Sequence, residues 1–135
     1  RPNDYVYNPR ISTTAPVGPI NRNKLGCCGV MSPLYYVFRV EKQSDGILHF
    51  LDYYFKSNMW HDFMFRNGNS GARSDRFSIS DSTFSLMPIL YPQKEEEQLN
   101  IGQVFINMEK LMRTESIKLS KFRSMKQSLL QKMFI

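Results

Sequence analysis

The pattern of apolar and polar residues changes at Tyr91 and Pro92. From 1 to 92, short runs rich in Tyr, Phe, Val and Ile are separated by Pro, Gly, Asn and Ser, which is typical of short strands joined by turns. From Gln93 to Ile135 there is no proline, Gly102 is the only glycine, and strong helix formers dominate. The sequence therefore predicts an α+β fold, in which mostly antiparallel short strands with small helices at 1–92 precede a long helix at 93–135.

The first part contains several recognisable elements. Tyr5 to Tyr7 and Val37 to Val40 have the composition of strands. Ile47 to Asn58 is predicted as a short helix, because its apolar residues recur at three- and four-residue spacing. The polar stretches Asn21 to Lys24 and Arg66 to Arg76 are predicted as loops, and we expect the second one to be exposed.

The second part has the features of an amphipathic helix. Glu95, Glu96 and Glu97 come first, where a helix N-terminus favours carboxylates through its unpaired N–H groups and partial positive charge. Downstream, apolar residues keep roughly to one face, although Glu115 and Lys118 interrupt a strict heptad. The apolar residues of this face are Ile101, Phe105, Met108, Met112, Leu119, Phe122, Leu129 and Met133.

The length of this helix raises the question of what covers its apolar face. A helix of about 35 to 40 residues would be about 50 to 60 Å long, which is more than a domain of about 90 residues can cover. We therefore expect the helix to pair as a coiled coil. The alternative is a hairpin of two shorter helices, with a break near Arg113 to Ser116, that packs on the first part.

Composition points to a folded, basic protein. Hydrophobic residues make up 41% of the chain, too many for a disordered segment, and 18 Lys and Arg against 12 acids give a net charge of +6. Such a surplus suits a polyanionic partner, because cations that neutralise phosphates release counterions. No apolar run approaches the roughly 18 residues of a membrane span, so we expect no membrane association. Two cysteines that cannot pair with each other indicate a reducing compartment, so we expect a cytoplasmic location. The start at Arg1, without Met, suggests a fragment.

Candidate catalytic chemistry is sparse. Cys27 and Cys28 are adjacent, and their spacing matches neither a disulfide nor a zinc set, so we expect free thiols on two small buried residues. No nucleophile elbow, His-Glu-x-x-His pair or phosphate-binding glycine loop is present. Asp52 and Asp62 could hold a metal in a small nuclease, although solvent-facing acids are the more common case. We expect no catalysis, no cofactor and no bound metal.

Several segments carry a resemblance that covers nearly the whole chain. Pro92 is followed by KEEEQLNIGQVF at 94–105, MEKLM at 108–112 and SLLQKMF at 128–134. Earlier segments are DYVYNPRISTTAPVGPI at 4–20, GVMSPLYYVFRV at 29–40, YYF at 53–55 and GARSDRFSI at 71–79. In order and spacing they resemble the DNA sequence-specificity (S) subunit of Type I restriction-modification systems. One departure is the pair Met108-Glu109, where the family usually has Leu-Asp.

This resemblance implies a target recognition domain at 1–92, whose N-terminal part is missing, and a conserved helical spacer at 93–135. In that family, two such units stand in tandem and their long helices pair antiparallel. The subunit binds double-stranded DNA and docks methyltransferase and restriction subunits. It performs no catalysis: the methyltransferase uses S-adenosylmethionine, and the restriction subunit uses ATP and Mg. Because only one unit is present here, a homodimer through the C-terminal helix is also possible.

DNA recognition would require Arg, Lys, Asn and Gln side chains on exposed loops. The candidates, strongest first, are Asn69, Ser70, Arg73 and Arg76, followed by Arg66, Arg22, Lys24 and Arg10. Two alternatives stay open for the loop at 66–76, which contains the four strongest candidates. Its side chains contact DNA bases, or it is a solvated loop in which Arg73 or Arg76 pairs with Asp75 or Asp81. A rival function is a protein–protein assembly module whose helix docks the methyltransferase while its recognition domain is silent.

Overall fold

The three strands form one small antiparallel sheet. The structure, a computed structural model, describes residues 1–70 and 75–134. Its elements in chain order are β1 (Tyr5–Tyr7), β2 (Ile20–Arg22), β3 (Tyr36–Phe38), α1 (Asp45–Tyr54), α2 (His61–Asn67), α3 (Asp81–Phe84) and α4 (Glu95–Met133). The strand order is β2-β1-β3, with both neighbours antiparallel to β1. The α+β class and the short antiparallel strands predicted from the sequence are confirmed.

One face of the sheet builds the hydrophobic core. Tyr5 and Tyr7 alternate with the half-buried Val6, so both tyrosine rings point inward. Each inward hydroxyl finds a partner, since Tyr7 Oη donates to the carbonyl of Val17 at 2.8 Å and Tyr5 Oη to that of Leu48 at 3.3 Å. The buried core residues are Tyr5, Tyr7, Val17, Ile20, Ile47, Leu48, Leu51, Phe55, Trp60, Met64, Phe77 and Phe84.

The chain divides into two compact units, Arg1–Gly102 and Gln103–Ile135. In the first unit, α1 and the beginning of α4 meet at two glycines. A methyl group on Gly102 would lie 2.6 Å from His49 Cβ, and one on Gly46 would lie 2.9 Å from Glu95 Cγ. Beside them, the buried Gln98 donates from Nε2 to the carbonyl of Pro92 at 2.7 Å. This contact fixes the entry into α4.

The second unit consists of helix. The glutamates predicted to begin this helix form the first turn of α4, which continues without a break to Met133. The alternative hairpin with a break near Arg113 is therefore wrong. Every side chain from 107 to 134 is exposed. Within the part of the chain that the structure describes, no helix has both the length and the apolarity of a membrane span.

Three details of the first unit differ from the sequence-based expectations. Ile20 to Arg22 is a strand rather than the beginning of a loop, because the buried Ile20 pairs with Tyr7 on β1. Cys27 and Cys28 are free, as expected, but exposed rather than buried. The helix α2 was not predicted, and its last two residues, Arg66 and Asn67, were assigned to the loop that follows it.

Candidate nucleic-acid interface

Two arginines that the sequence places 66 positions apart lie side by side. The backbone N–H of Ile11 donates to the carbonyl of Asp75 at 3.0 Å, and the N–H of Phe77 donates to the carbonyl of Pro9 at 2.8 Å. These bonds flank the antiparallel bridge between Arg10 and Arg76. In such a non-hydrogen-bonded pair the Cα atoms are about 4.5 Å apart and both side chains leave on the same face. The bridge therefore brings two guanidinium groups to one surface.

Within the described residues, no acidic side chain forms an ion pair with either of these arginines. Among the residues that the structure describes, neither guanidinium forms a hydrogen bond or an ion pair with another side chain. In particular, Arg76 makes no ion pair with Asp75 or Asp81, so the alternative of a self-neutralised loop is wrong for Arg76. Like charges directly opposite each other disfavour a strand pair. The exposed Arg10 and the half-buried Arg76 therefore form a positive pair that no described acid compensates.

The segment that carries Arg76 is anchored on both sides. Asn69 and Ser78 exchange two backbone hydrogen bonds, of 3.0 and 2.7 Å, which close the base of the loop. Phe77, the neighbour of Arg76, points the opposite way and is buried. Gly68 fits tightly there, since a methyl group on it would lie 2.7 Å from the carbonyl oxygen of Ser78. This anchoring fixes the backbone of Arg76, whose side chain is half-buried.

The other candidates of this loop border the same segment. Arg66 is exposed in the last turn of α2, and Asn69 and Ser70 are exposed just after it. Arg73 lies outside the described residues. Because Asn69 closes the base of the loop that carries Arg76, the amide and the guanidinium come from one closed segment. We define the candidate interface as Arg10, Arg66, Asn69, Ser70 and Arg76.

Arg22 and Lys24 do not belong to this interface. The carboxylate of Asp52 accepts from Arg22 Nε at 2.8 Å and from Arg22 Nη2 at 2.6 Å, and Lys24 Nζ lies 2.7 Å from Asp52 Oδ2. A third bond, from Arg22 Nη1 to Asn3 Oδ1, engages the rest of the guanidinium at 2.8 Å. The side chains of Arg22 and Asp52 are only 10% and 5% exposed, whereas that of Lys24 is 57% exposed. Arg22 therefore joins β2 to α1 inside the protein.

The environment of Asp52 explains its charge state. Burial opposes its ionisation, but hydrogen bonds from Arg22 and Lys24 outweigh burial and hold the pKa of Asp52 below its ordinary value. The same hydrogen bond raises the pKa of Arg22. The expectation that Asp52 faces solvent is wrong. Because its oxygens are already engaged by two cations, the nuclease hypothesis loses one of its two metal ligands.

Comparisons with protein-family models, curated proteins and solved structures give no match to this chain.

The remaining histidines and acids form no site. In the described ranges 1–70 and 75–134, no three His, Cys, Asp or Glu side chains are grouped as metal ligands. His61 lies edge-on between the rings of Trp60 and Phe65, and burial lowers its pKa. The aromatic residues at 35–38 and 53–55 serve mainly as framework: Phe55 is buried, and Tyr36, Phe38 and Tyr54 pack against the core.

The second surface with functional potential lies on α4. Six of the eight residues predicted to form its apolar face have side chains that are between 51% and 72% exposed. They are Met108, Met112, Leu119, Phe122, Leu129 and Met133. Ile101 is half-buried in the first unit, and Phe105 is 43% exposed. A row of large apolar side chains in water is unusual for a protein that acts alone.

Proposed function

We propose that this chain is a non-catalytic DNA specificity module of a Type I restriction-modification complex. It recognises one half of a bipartite duplex site through the candidate interface and contacts the methyltransferase subunits through α4. The observation that carries the proposal is the uncompensated Arg10–Arg76 pair. The resemblance of the sequence to specificity subunits supports it. Two of the residues behind that resemblance, Pro92 and Gln98, are hydrogen-bonded at the entry to α4.

The chemistry of the interface suits duplex DNA. Arginine contacts phosphates and also binds the O6 and N7 atoms of guanine with two parallel hydrogen bonds. An asparagine amide such as that of Asn69 can pair in the same way with adenine. The like-charge repulsion between Arg10 and Arg76 disappears when a phosphate sits between them. The pair is therefore better suited to a polyanion than to water alone.

Binding of a labelled duplex, followed by fluorescence anisotropy at several salt concentrations, tests the electrostatic step. For the double variant Arg10→Ala/Arg76→Ala we expect weaker binding and a salt slope smaller by about 2, because each lost phosphate contact removes about 0.9 from it. The matched control is Lys42→Ala/Lys121→Ala, which removes the same charge from two exposed positions outside the interface. Equal losses in both double variants would reduce the role of the pair to net charge.

Sequence specificity requires the complete complex. In cells that express the full specificity subunit with its methyltransferase, we expect a bipartite methylated motif in genomic DNA. With Arg76→Ala, one half of that motif should lose sequence specificity and accept additional bases, while the other half stays unchanged. A methylation pattern that does not depend on the subunit would reject the recognition role.

A second candidate function is supported by the exposed apolar residues of α4. In that case the chain is an assembly module that docks the methyltransferase, and its recognition domain is silent. The arginine variant separates the two candidates. If the chain only assembles the complex, Arg10→Ala/Arg76→Ala would change neither assembly nor residual DNA binding, whereas the recognition role predicts weaker DNA binding. Met112→Asp or Phe122→Asp should abolish capture of the methyltransferase under either candidate.

A further inference from the structure

The loop between β2 and β3 carries three sulfur-containing side chains within five positions. Cys27 and Cys28 are adjacent, and both are free and exposed. Met31 follows three positions later and is 46% exposed. All three residues line one open cavity of about 610 Å³. Neither the candidate DNA interface nor the apolar face of α4 uses any of them, so the role of these sulfur atoms is open.

The outer face of the sheet forms the floor of this cavity. Val6 lies opposite Asn21 on β2 and opposite Val37 on β3, so one residue from each strand contributes to a single row. All three line the cavity. Because side chains alternate along a strand, this row lies on the face opposite the core. The sulfur atoms therefore stand beside a hydrogen-bonded sheet.

The cysteines are tied to the sheet, but the backbone on each side of them has room to move. Asn23 donates from its backbone N–H to the carbonyl of Asp4 at 2.8 Å, and from Nδ2 to the carbonyl of Cys27 at 2.9 Å. Gly26 and Gly29 flank the two cysteines, and a Cβ atom added to either glycine would meet nothing within 4 Å. The loop can therefore adjust around a small ligand without leaving the cavity.

The chemistry of the three side chains favours a soft metal ion. Adjacent cysteines are poorly placed to form a disulfide with each other, because the bridge would strain the peptide between them. Their thiols therefore stay available as ligands. Thiolate and thioether sulfur are the donors that select Cu(I). The side chain of Met31 has three rotatable bonds, so its thioether can approach an ion that the two cysteines hold.

Other common metal ions find too few ligands in this cavity. Structural zinc takes four ligands from Cys, His and carboxylate groups, and calcium and magnesium take oxygen ligands. Among the described residues that line the cavity there is no histidine, and the one carboxylate, that of Asp4, accepts from Arg39 Nε at 2.6 Å. The expectation of no bound metal rested on zinc spacing and did not count the thioether of Met31.

We infer that Cys27, Cys28 and Met31 bind one Cu(I) ion through their three sulfur atoms. Both cysteines bind as thiolates, so the two thiol protons leave to solvent when the ion enters. The site shares no residue with the candidate DNA interface or with the apolar face of α4. Failure of DNA binding would therefore leave this inference intact, and failure of copper binding would leave the proposed function intact.

An anaerobic titration of the full chain with Cu(I), in competition with the coloured chelator bicinchoninate, tests the site. We expect the chain to take one Cu(I) from the chelator. Cys27→Ser/Cys28→Ser should abolish this binding. Met31→Leu should weaken it at least about tenfold, since even residues that only support a metal ligand contribute that much. The matched control is Met59→Leu, at a methionine that is 66% exposed outside the cavity, and it should bind like the wild type.

X-ray absorption at the copper K-edge identifies the ligands. The wild-type complex and the Met59→Leu control should both show three sulfur neighbours around the copper. In Met31→Leu the sulfur count should fall to two. Because the substituted side chains are partly or fully exposed, the variants should keep the fold, which circular dichroism checks.

Several results would overturn the inference. One is a chain that takes no copper from the chelator, and another is retention of copper by Cys27→Ser/Cys28→Ser. Half an equivalent of copper per chain would mean that the ion bridges two chains instead of occupying this site. Unchanged affinity and sulfur count in Met31→Leu would remove the thioether from the site. Displacement of the bound Cu(I) by excess Zn(II) would contradict the choice of metal.

Discussion

Two groups of basic residues in this protein look alike in sequence and differ completely in structure. Arg22 and Lys24 follow a short strand and share one buried carboxylate, whereas Arg10 and Arg76 face each other without an acid between them. The charges of Arg22 and Lys24 are paired with Asp52, which connects β2 to α1. The charges of Arg10 and Arg76 remain available to a ligand. A basic residue in a polar stretch is therefore a functional candidate only when its counter-ion is missing.

The largest expected effect comes from removing the shared acid. Asp52→Ala should destabilise the protein by about 3–5 kcal/mol, because it leaves the nearly buried Arg22 without a counter-ion. Denaturant unfolding monitored by circular dichroism measures this. Asp62→Ala, at an exposed position of α2, should cost less than about 1 kcal/mol. If the two variants were equally stable, the ion pair between Arg22 and Asp52 would not stabilise the fold.

Acid should weaken the same ion pair. The folded-state pKa of Asp52 is lowered, so its contribution to stability is fully present above the unfolded pKa and is lost as the pH falls through the folded value. Below about pH 4, the wild type should therefore lose more stability than Arg22→Met/Asp52→Leu, in which the pair is replaced by apolar residues. Urea unfolding at several pH values compares the two. Parallel pH profiles would mean that Asp52 contributes nothing to acid sensitivity.

The smallest expected effect concerns the Arg10–Arg76 pair. Arg10→Ala/Arg76→Ala should leave the free energy of unfolding unchanged within about 0.5 kcal/mol, or raise it slightly, because a like-charge contact is removed. A loss of DNA binding in this variant is then not a loss of folding. Thermal unfolding of both proteins at low and high salt checks this, and a marked destabilisation would show that the arginines are structural.

The sequence was most informative where structure is local. The strand at Tyr5–Tyr7, the helix within 47–58 and the acidic beginning of α4 follow from composition and spacing, and all three are present. What depends on distant partners was missed. Nothing near Arg22 indicates that Asp52, 30 positions later, neutralises it, and nothing near Arg10 indicates that Arg76 lies opposite. The choice between one long helix and a hairpin also required the structure, since both satisfy the same pattern.

The contact between α1 and the beginning of α4 has a consequence for how this protein can evolve. A Cβ atom added to Gly46 or Gly102 would lie less than 3 Å from a side-chain atom of the opposite helix. Both positions should therefore resist every substitution in a saturation-mutagenesis survey, while the large side chains around them should tolerate exchange among similar sizes. The entry to the long helix would then change slowly in sequence, even if the loop that carries Arg76 changed rapidly.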